Sequence, residues 1–298
     1  MYNDLIKEIS KELNIKYKLL SNNWIISLEK DNIIKYITGY KFDLNNHASA
    51  MLVDDKYAMY DALNKKNIPV IQHYLLYSKH NKEKYALGKN DPNLAINYFK
   101  NHNKDIIIKG NHGTCGNEVY HITNKKDINK TLNKLFKKES SISLCPFYKI
   151  DSEYRVIILN NNIELIYEKI RPIIIGDGIK KISTLLKEFN PYYNFTIKKD
   201  RVLKKGEQYT YTFKHNLSNG SIINTKIDNI KEISNLAYKT AKTLNISFGS
   251  IDIIKVANKY YIMECNSGVM MSNLINLLPD GYNIAKNIYK KAIISLFS

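Results

Sequence analysis

The sequence predicts an α+β (mixed α/β) fold, in which helices alternate with strands and neighbouring strands pair as hairpins. Two segments support this most directly. In 153–170, two apolar runs flank the asparagines 160–162, and in 248–266 two apolar runs flank Asn258. Asparagine tolerates the left-handed backbone of tight turns, so we expect a β-hairpin in each segment. Pairing of this local kind argues against a single doubly wound sheet.

The other elements follow from the spacing of apolar residues and from turn residues. Asn67 and Pro69 are expected to end a helix that begins near residue 54, and Pro92 suits a first helical turn. The expected helices are 1–14, 54–66, 91–103, 127–138, 229–245 and a single long helix at 272–297. A strand is expected to follow Pro69 and to end near residue 76. The other expected strands outside the two hairpins are 23–30, 32–42, 105–109, 118–122 and 141–148.

Composition narrows the class of protein. Of the 298 residues, 44% are apolar and 24% charged, as in folded globular proteins. No apolar run reaches the roughly 18 residues of a membrane span, and the N-terminal helix carries acidic residues, unlike a signal or transit peptide. We therefore expect a cytoplasmic protein without a membrane partner. Cys115, Cys145 and Cys265 lack the spacing of a zinc site, and a homo-oligomer is left open.

The net charge of +17 invites a nucleic-acid-binding interpretation. Only three of the 45 basic residues are Arg, however, and the lysines are scattered over the chain rather than clustered. Scattered lysines usually form a solvated surface, so nucleic acid is the less favoured partner. An acidic substrate remains compatible with the charge.

A glycine-rich stretch, DIIIKGNHGTCGNEVYHI, occupies residues 105–122. Its G-x-x-G-x-x-G spacing fits neither a Walker loop nor a dinucleotide-binding fingerprint. The residues that follow it are typical of a strand, so no helix N-terminus is available to bind phosphate. We expect a β-hairpin whose glycine tip folds over phosphates, and a tight hairpin without a ligand is the alternative.

Three oxygen-bearing side chains lie in the second hairpin. If it turns at Asn258, Asp252 lies opposite Glu264, and Asn266 lies on the same face because side chains alternate. Two opposed carboxylates repel each other unless a cation lies between them, and oxygen ligands suit Mg²⁺. The alternative is a pair of solvated carboxylates on one sheet face. Together with the glycine hairpin, this pair indicates a nucleoside triphosphate site.

The order of these motifs resembles the ATP-grasp superfamily over most of residues 50–275. The middle of the chain is most similar to the cyanophycin synthetases and glutathione synthetases, particularly at 169–190 and in NLSNG, 216–220. The resemblance implies an ATP-grasp fold in which two α+β lobes clasp ATP. It suggests a small N-terminal lobe at 1–53, an N-terminal subdomain with the glycine lid at 54–145, and a C-terminal subdomain with the magnesium site at 146–298.

The resemblance also implies roles for individual residues. Lys56 and Lys109 would hold the phosphates, the segment from Leu144 to Lys149 would contact adenine, and Glu153 would bind the ribose. Pro146 and Ser250 depart from residues common elsewhere in the superfamily. The implied site residues are Arg155 and Arg171 in catalysis; Lys56, Lys109, Gly113, Thr114, Gly116, Leu144, Phe147, Lys149 and Glu153 at ATP; Asp252, Glu264 and Asn266 at the metal; and Asn216, Ser218, Ser267 and Gly268 at the substrate.

The implied activity is ATP-dependent carboxylate–amine ligation, which forms an amide or peptide bond through an acyl-phosphate. The implied cofactors are ATP and two Mg²⁺ ions, which Mn²⁺ can replace, and the substrates are an amino acid or a small peptide. Three alternatives stay open: phosphoryl transfer without amide formation, a non-catalytic ATP-binding module, and a basic nucleic-acid-binding protein.

Overall fold

The computed structural model describes residues 1–78, 91–112, 118–197 and 199–298, and it confirms the mixed α/β class. The helices are α1 (Tyr2–Glu12), α2 (His47–Asp54), α3 (Lys56–Asn64), α4 (Pro92–Asn101), α5 (Lys125–Leu135), α6 (Ile182–Phe189), α7 (Ile230–Leu244), α8 (Ser272–Leu277) and α9 (Gly281–Leu296). The strands are β1 (Lys16–Leu20), β2 (Ile25–Lys30), β3 (Ile33–Thr38), β4 (Lys41–Phe42), β5 (Tyr74–Tyr77), β6 (Ile106–Gly110), β7 (Val119–Ile122), β8 (Ser141–Pro146), β9 (Ser152–Leu159), β10 (Asn162–Ile170), β11 (Ile173–Ile175), β12 (Gln208–Thr210), β13 (Ile222–Asn224), β14 (Phe248–Val256) and β15 (Lys259–Asn266).

The described strands form four antiparallel sheets. The N-terminal sheet has the order β1-β2-β3-β4, and a second four-stranded sheet has the order β5-β8-β6-β7. The central sheet has five strands in the order β13-β10-β9-β14-β15, and β11 pairs with β12 in a two-stranded ribbon. The central sheet brings both predicted hairpins side by side, because β9 pairs with β14.

Both predicted hairpins are confirmed. The first turns at Asn160 and Asn161, with φ of 47° and 67°, and the second turns at Ala257 and Asn258, with φ of 46° and 63°. Two consecutive residues with positive φ make the turn that matches the twist of paired strands. The strands that flank the glycine-rich tip also pair as expected, with Lys109 opposite Val119.

The prediction of one long helix at 272–297 is wrong. The structure has α8 and α9 there, separated by Leu278, Pro279 and Asp280. Leu278 adopts an extended backbone (φ −108°, ψ 138°), as the steric bulk of a following proline favours. The chain then reverses so closely that a Cβ added to Gly281 would lie 2.2 Å from the carbonyl oxygen of Leu274. Two short helices, α2 and α6, were also not predicted from the sequence.

Three main hydrophobic cores lie among the described residues. The first joins α1 and the N-terminal sheet to α9, with Ile6 and Ile9 packed beside Ile288. The second packs α3 and α7 on the central sheet, and includes Met59. The third belongs entirely to the second four-stranded sheet with α4 and α5, and includes Leu144. The three domain ranges expected from the sequence stay a prediction.

Candidate active site

The candidate active site lies on one face of the central sheet. Asp252 on β14 pairs with Arg155 on β9 and with Glu264 on β15, and Ser250 pairs with Asn266. Directly opposed residues place their side chains on the same face, so these five side chains share one surface. The predicted register, with Asp252 opposite Glu264, is confirmed.

Four charged side chains at the centre of this face form a buried network. Arg155 donates two hydrogen bonds to the two carboxylate oxygens of Asp252, through Nε and Nη2, each at 2.7 Å. The Nζ atom of Lys169 donates to Asp252 at 3.0 Å and also contacts the carboxylate of Glu153. Asp252, Lys169 and Glu153 are each at most 4% exposed. The Arg155 side chain is 26% exposed, so two positive and two negative groups neutralise one another and Arg155 alone of the four reaches water.

The network decides the ionisation of its members. Burial alone would raise the pKa of the Asp252 carboxyl, but Arg155 and Lys169 hold that pKa well below its usual range. Burial raises the pKa of Glu153, although Lys169 opposes the shift. Asp252 therefore stays ionised because of its partners, and removing either cation would leave a buried negative charge without compensation.

Lys169 is a site residue that the sequence analysis missed. Tyr167 on β10 pairs with Arg155, so Lys169, two residues further along, lies on the same face. This pairing depends on a β-bulge between Ile163 and Leu165, without which Arg155 would oppose Ile166, so the turn residues alone gave no signal for Lys169. Arg171, which the resemblance implied as catalytic, lies one residue beyond β10 and forms no ion pair with any described residue. The structure thus brings Arg155 into the network and leaves Arg171 outside it.

A second group of charges lies at the edge of the face, at the start of α3. Lys56 is 7% exposed, and its Nζ lies 3.7 Å from a carboxylate oxygen of Glu264 and 3.4 Å from the carbonyl oxygen of Asn111. Burial lowers the pKa of Lys56, Glu264 opposes that shift, and the positive charge of Lys109 adds to it. An anion between the two lysines would relieve their repulsion.

Two buried polar atoms lie near these lysines without a hydrogen-bond partner among the described residues. They are Nδ2 of Asn111 and Nε2 of His73, whose Nδ1 lies 2.6 Å from Oγ of Ser143. Burial lowers the pKa of His73, and the charges of Lys109 and Lys56 lower it further, so its imidazole is neutral. The imidazole Nε2 of His73 and the amide Nδ2 of Asn111 are therefore atoms that a polar ligand can satisfy.

The glycine lid is described only in part. Gly110 ends β6, and a Cβ added there would lie 3.0 Å from Oε1 of Glu139. The exposed His112 follows, with its Nε2 3.8 Å from a carboxylate oxygen of Asp55. Gly113, Thr114 and Gly116 fall outside the described residues, so the ATP contacts expected of them stay predictions.

The residues expected to contact adenine and ribose have different surroundings. Leu144 is buried in the centre of its sheet, where β8 pairs with both β5 and β6. Phe147 stacks on His121 with the ring centres 3.9 Å apart, and Lys149 is exposed. Glu153, expected at the ribose, lies in the buried network. The roles predicted for these four residues stay predictions.

The four candidate substrate residues fall into two pairs. The side-chain oxygen of Asn216 caps a 3₁₀ turn by accepting a hydrogen bond from the backbone N–H of Ser218. The hydroxyl of Ser218 in turn accepts a hydrogen bond from the side-chain amide of Asn273. The hydroxyl oxygen of Ser267 lies 3.5 Å from a carboxylate oxygen of Asp54. Gly268 packs against Lys41 of the N-terminal sheet. The first pair therefore contacts α8, and the second contacts α2 and the N-terminal sheet.

The donor set on this face fits Mg²⁺ by its chemistry, because all three expected ligands supply oxygen. Glu264 and Asn266 are partly exposed, whereas Asp252 already accepts hydrogen bonds from two cations. No group of three His, Cys, Asp or Glu residues suited to a metal occurs in the ranges that the structure describes. The carboxylates available here therefore suit an ion that also takes oxygens from a bound phosphate.

The fold is that of ATP-grasp proteins, and more particularly residues 199–292 match the RimK-like ATP-grasp domain. A bifunctional glutathione synthetase from Pasteurella multocida superimposes with a TM-score of 0.56 at 16% identity, covering 96% of this chain and 43% of that one. D-alanine–D-alanine ligase from Bacillus anthracis superimposes with a TM-score of 0.54 at 14% identity, covering 84% of this chain and 67% of that one. The ATP-grasp ligase PsnB, complexed with minimal precursor, Mg and ADP, superimposes with a TM-score of 0.50 at 13% identity. The superposition covers 83% of this chain and 61% of that one.

These likenesses confirm the predicted resemblance at the level of the fold. The chain spans less than half the length of the glutathione synthetase that it matches. No curated protein matches the sequence. Among the residues that the structure describes, no helix has the length and apolar character needed to cross a bilayer.

Proposed function

We propose that the protein is an ATP-dependent carboxylate–amine ligase that acts on an amino acid or a small peptide. The observation that carries the proposal is the charged sheet face of an ATP-grasp fold. The cations of Arg155 and Lys169 contact Asp252 there. At the edge of the face Lys56 lies 3.7 Å from Glu264, where the charge of Lys109 also acts on Lys56. Such an arrangement suits a polyanion that must be held and neutralised while a phosphoryl group is transferred.

In the proposed reaction, a carboxylate oxygen of the substrate attacks the γ-phosphorus of ATP, the bond to the β-phosphate oxygen breaks, and ADP leaves. The amine nitrogen then attacks the acyl carbon, the acyl–oxygen bond breaks, phosphate leaves, and the nitrogen loses a proton. Lys56 and Lys109 would hold the phosphates as point charges, and Arg155 would orient Asp252. The glycine tip would exclude water, which would otherwise hydrolyse the acyl-phosphate.

Glu264 and Asn266, with Asp252, would hold Mg²⁺ on this face. When bound, two Mg²⁺ ions, or Mn²⁺ in their place, would neutralise the phosphate charge. PsnB, whose fold is similar, is complexed with Mg and ADP, and this likeness supports the assignment.

The direct test incubates the purified protein with ATP, Mg²⁺ and a panel of amino acids and dipeptides, then measures ADP and phosphate and identifies the product by mass spectrometry. We expect ADP formation that depends on the panel member and an amide product of matching mass. ADP formation without an amide would indicate phosphoryl transfer alone, and ATP binding without turnover on any panel member would indicate a non-catalytic module.

The metal assignment has its own test in Glu264→Gln, which keeps the shape of the side chain and removes its charge. We expect ATP turnover to fall by about 100-fold or more, because the variant loses a metal ligand while the fold is kept. Glu232→Gln, on the exposed surface of α7, is the matched control and should keep the wild-type rate. A wild-type rate in Glu264→Gln would contradict the assignment.

The nucleic-acid alternative predicts binding to DNA or RNA that weakens steeply with salt. A binding titration at low and moderate salt separates it from the ligase. We expect no measurable binding at moderate salt, because the lysines are scattered along the chain and not clustered in a basic run.

A further inference from the structure

A cavity of about 530 Å³ lies among the residues between β11 and β13, outside the charged network. Its walls include three tyrosines, two threonines and an asparagine, with Lys214 as the charged side chain among its described lining residues. Its volume lies within the range of roughly 300–1,000 Å³ found for small-molecule sites.

The walls of the cavity are held in place by packing. Phe195 contacts Tyr193 and Tyr211 edge to face, with ring centres 4.8 Å and 5.2 Å apart. Gly220 has φ of 92°, and a Cβ there would lie 2.6 Å from the Phe195 ring and 2.8 Å from Tyr193. Only glycine fits that position, so the last residue of the NLSNG motif shapes this wall.

One segment of chain connects the cavity to the candidate active site. Thr212 and Lys214 line the cavity, and the residues next to them contact the site. Phe213 lies with its ring centre 5.9 Å from that of Phe147, and Nδ1 of His215 donates to the carbonyl oxygen of Lys169 at 2.8 Å. Consecutive Cα atoms are about 3.8 Å apart, so the backbone of the cavity wall at Lys214 is one residue from His215, which contacts the backbone of Lys169.

The lining favours a ligand that carries a negative charge. None of the described lining residues is a carboxylate, and the hydroxyl and amide groups of the wall can donate hydrogen bonds to an anion. Burial lowers the pKa of Lys214, and an anion bound in the cavity would oppose that shift by favouring the charged ammonium group. Tyrosine rings supply the apolar surface that the carbon chain of an amino acid or peptide can cover.

We infer that this cavity binds the amino-acid or peptide substrate through a carboxylate that does not react, with Lys214 as its partner. The inference rests on the proposed ligase function, and it adds that the substrate is acidic. The reacting group would extend from the cavity toward Arg155 and the phosphates. The tyrosine walls would hold the rest of the substrate.

The test measures binding apart from catalysis. Aspartate, glutamate and dipeptides made from them are titrated calorimetrically into the protein without ATP, and each is compared with its side-chain amide form. We expect the acidic forms to bind at least tenfold more tightly than the amides. Lys214→Met should remove that preference while leaving the Kd for ATP unchanged. Lys205→Met, an exposed lysine outside the cavity, is the matched control and should bind as the wild type does.

A second variant, Tyr209→Phe, keeps the test decisive if Lys214→Met folds poorly. It removes one hydroxyl group from the cavity wall, so we expect it to weaken binding of the same acidic ligands by a few-fold. Equal binding of acids and amides, or no binding of either, would overturn the inference. So would a parallel loss of ATP affinity in Lys214→Met, which would assign the cavity to the nucleotide. Binding without amide formation would contradict the ligase alone, and amide formation with an unchanged KM in Lys214→Met would contradict the cavity alone.

Discussion

At the residue scale, Lys169 has a large expected effect on stability, because it neutralises two buried carboxylates. We predict that Lys169→Met lowers the free energy of unfolding by about 3–5 kcal/mol, as is typical when one partner of a buried ion network is removed. Urea denaturation at pH 7 measures the change. Lys239→Met, exposed on α7, should change it by less than about 0.5 kcal/mol. A similarly small effect at Lys169 would mean that the network is open to water.

His215 predicts how stability depends on pH. Burial lowers its pKa from 6.5 to about 4, its hydrogen bond to the Lys169 carbonyl oxygen opposes that shift, and the charges of Arg171 and Lys169 add to it. The unfolded chain therefore binds a proton near pH 6.5 that the folded chain does not bind until about pH 4. Stability is full above pH 6.5 and falls as the pH is lowered toward 4, by up to about 3 kcal/mol from this group.

The matching variant is His215→Gln, whose amide can still donate to the Lys169 carbonyl but does not titrate. We expect its unfolding free energy to fall less steeply than that of the wild type between pH 6.5 and 4.5, as measured by urea denaturation in steps of half a pH unit. The buried His73 contributes a fall of the same sign in both proteins, so the difference between the curves isolates His215. Parallel curves would contradict this account.

At the scale of the elements, the hairpins were predicted and the junction of α8 with α9 was missed. Consecutive strands and their asparagine turns are local features, so their pairing follows from sequence alone. The register does not, because β-bulges shift it between Ile163 and Leu165 in the first hairpin and between Asp252 and Ile253 in the second. The reversal between α8 and α9 had a local signal, because Pro279, Asp280 and Gly281 are typical turn residues between two apolar runs. The close approach of Gly281 to α8 is a packing feature that the local pattern does not reveal. The apolar spacing of 272–297 continues across the break, and this continuity produced the incorrect single helix.

The close approach at Gly281 is itself testable. Gly281→Ala would place Cβ 2.2 Å from the carbonyl oxygen of Leu274, so α9 would have to shift away from α8. We expect a loss of roughly 2 kcal/mol or more in unfolding free energy, measured by thermal and urea denaturation. Gly268→Ala is the control, because its nearest neighbour is the flexible side chain of Lys41 at 3.2 Å. Equal stability of the two variants would show that the junction adjusts freely.

At the scale of the whole molecule, the first 42 residues share a core with the last helix. Ile9 of α1 is fully buried in a cluster that includes Ile288 and Ile293 of α9 and Ile157 of the central sheet. Apolar groups that lose water together make unfolding cooperative. The N-terminal sheet is therefore expected to unfold with the central sheet and not as a separate unit.

Trp24, the single tryptophan, lies before β2 and reports on the N-terminal sheet. We predict that its fluorescence and the far-ultraviolet circular dichroism of the chain change at the same urea concentration. Ile9→Ala should lower both midpoints together, at a cost of about 2–5 kcal/mol. An earlier fluorescence transition would contradict the shared core and favour an independent N-terminal lobe.

The sequence by itself determined the mixed α/β class and the two central hairpins, because alternation and turn residues act over a few positions. Asp252 lies opposite Glu264 as predicted, but a β-bulge between Asp252 and Ile253 produces this register, and the turn residues do not encode that bulge. The tertiary structure decided what those positions meet. It placed Lys169 between Glu153 and Asp252, left Arg171 outside the network, and brought Lys56 from α3 to within 3.7 Å of Glu264. It also formed the Lys214 cavity beside the glycine-containing NLSNG stretch. Contacts between distant segments depend on how whole sheets and helices pack, and that packing is not encoded in any one local pattern.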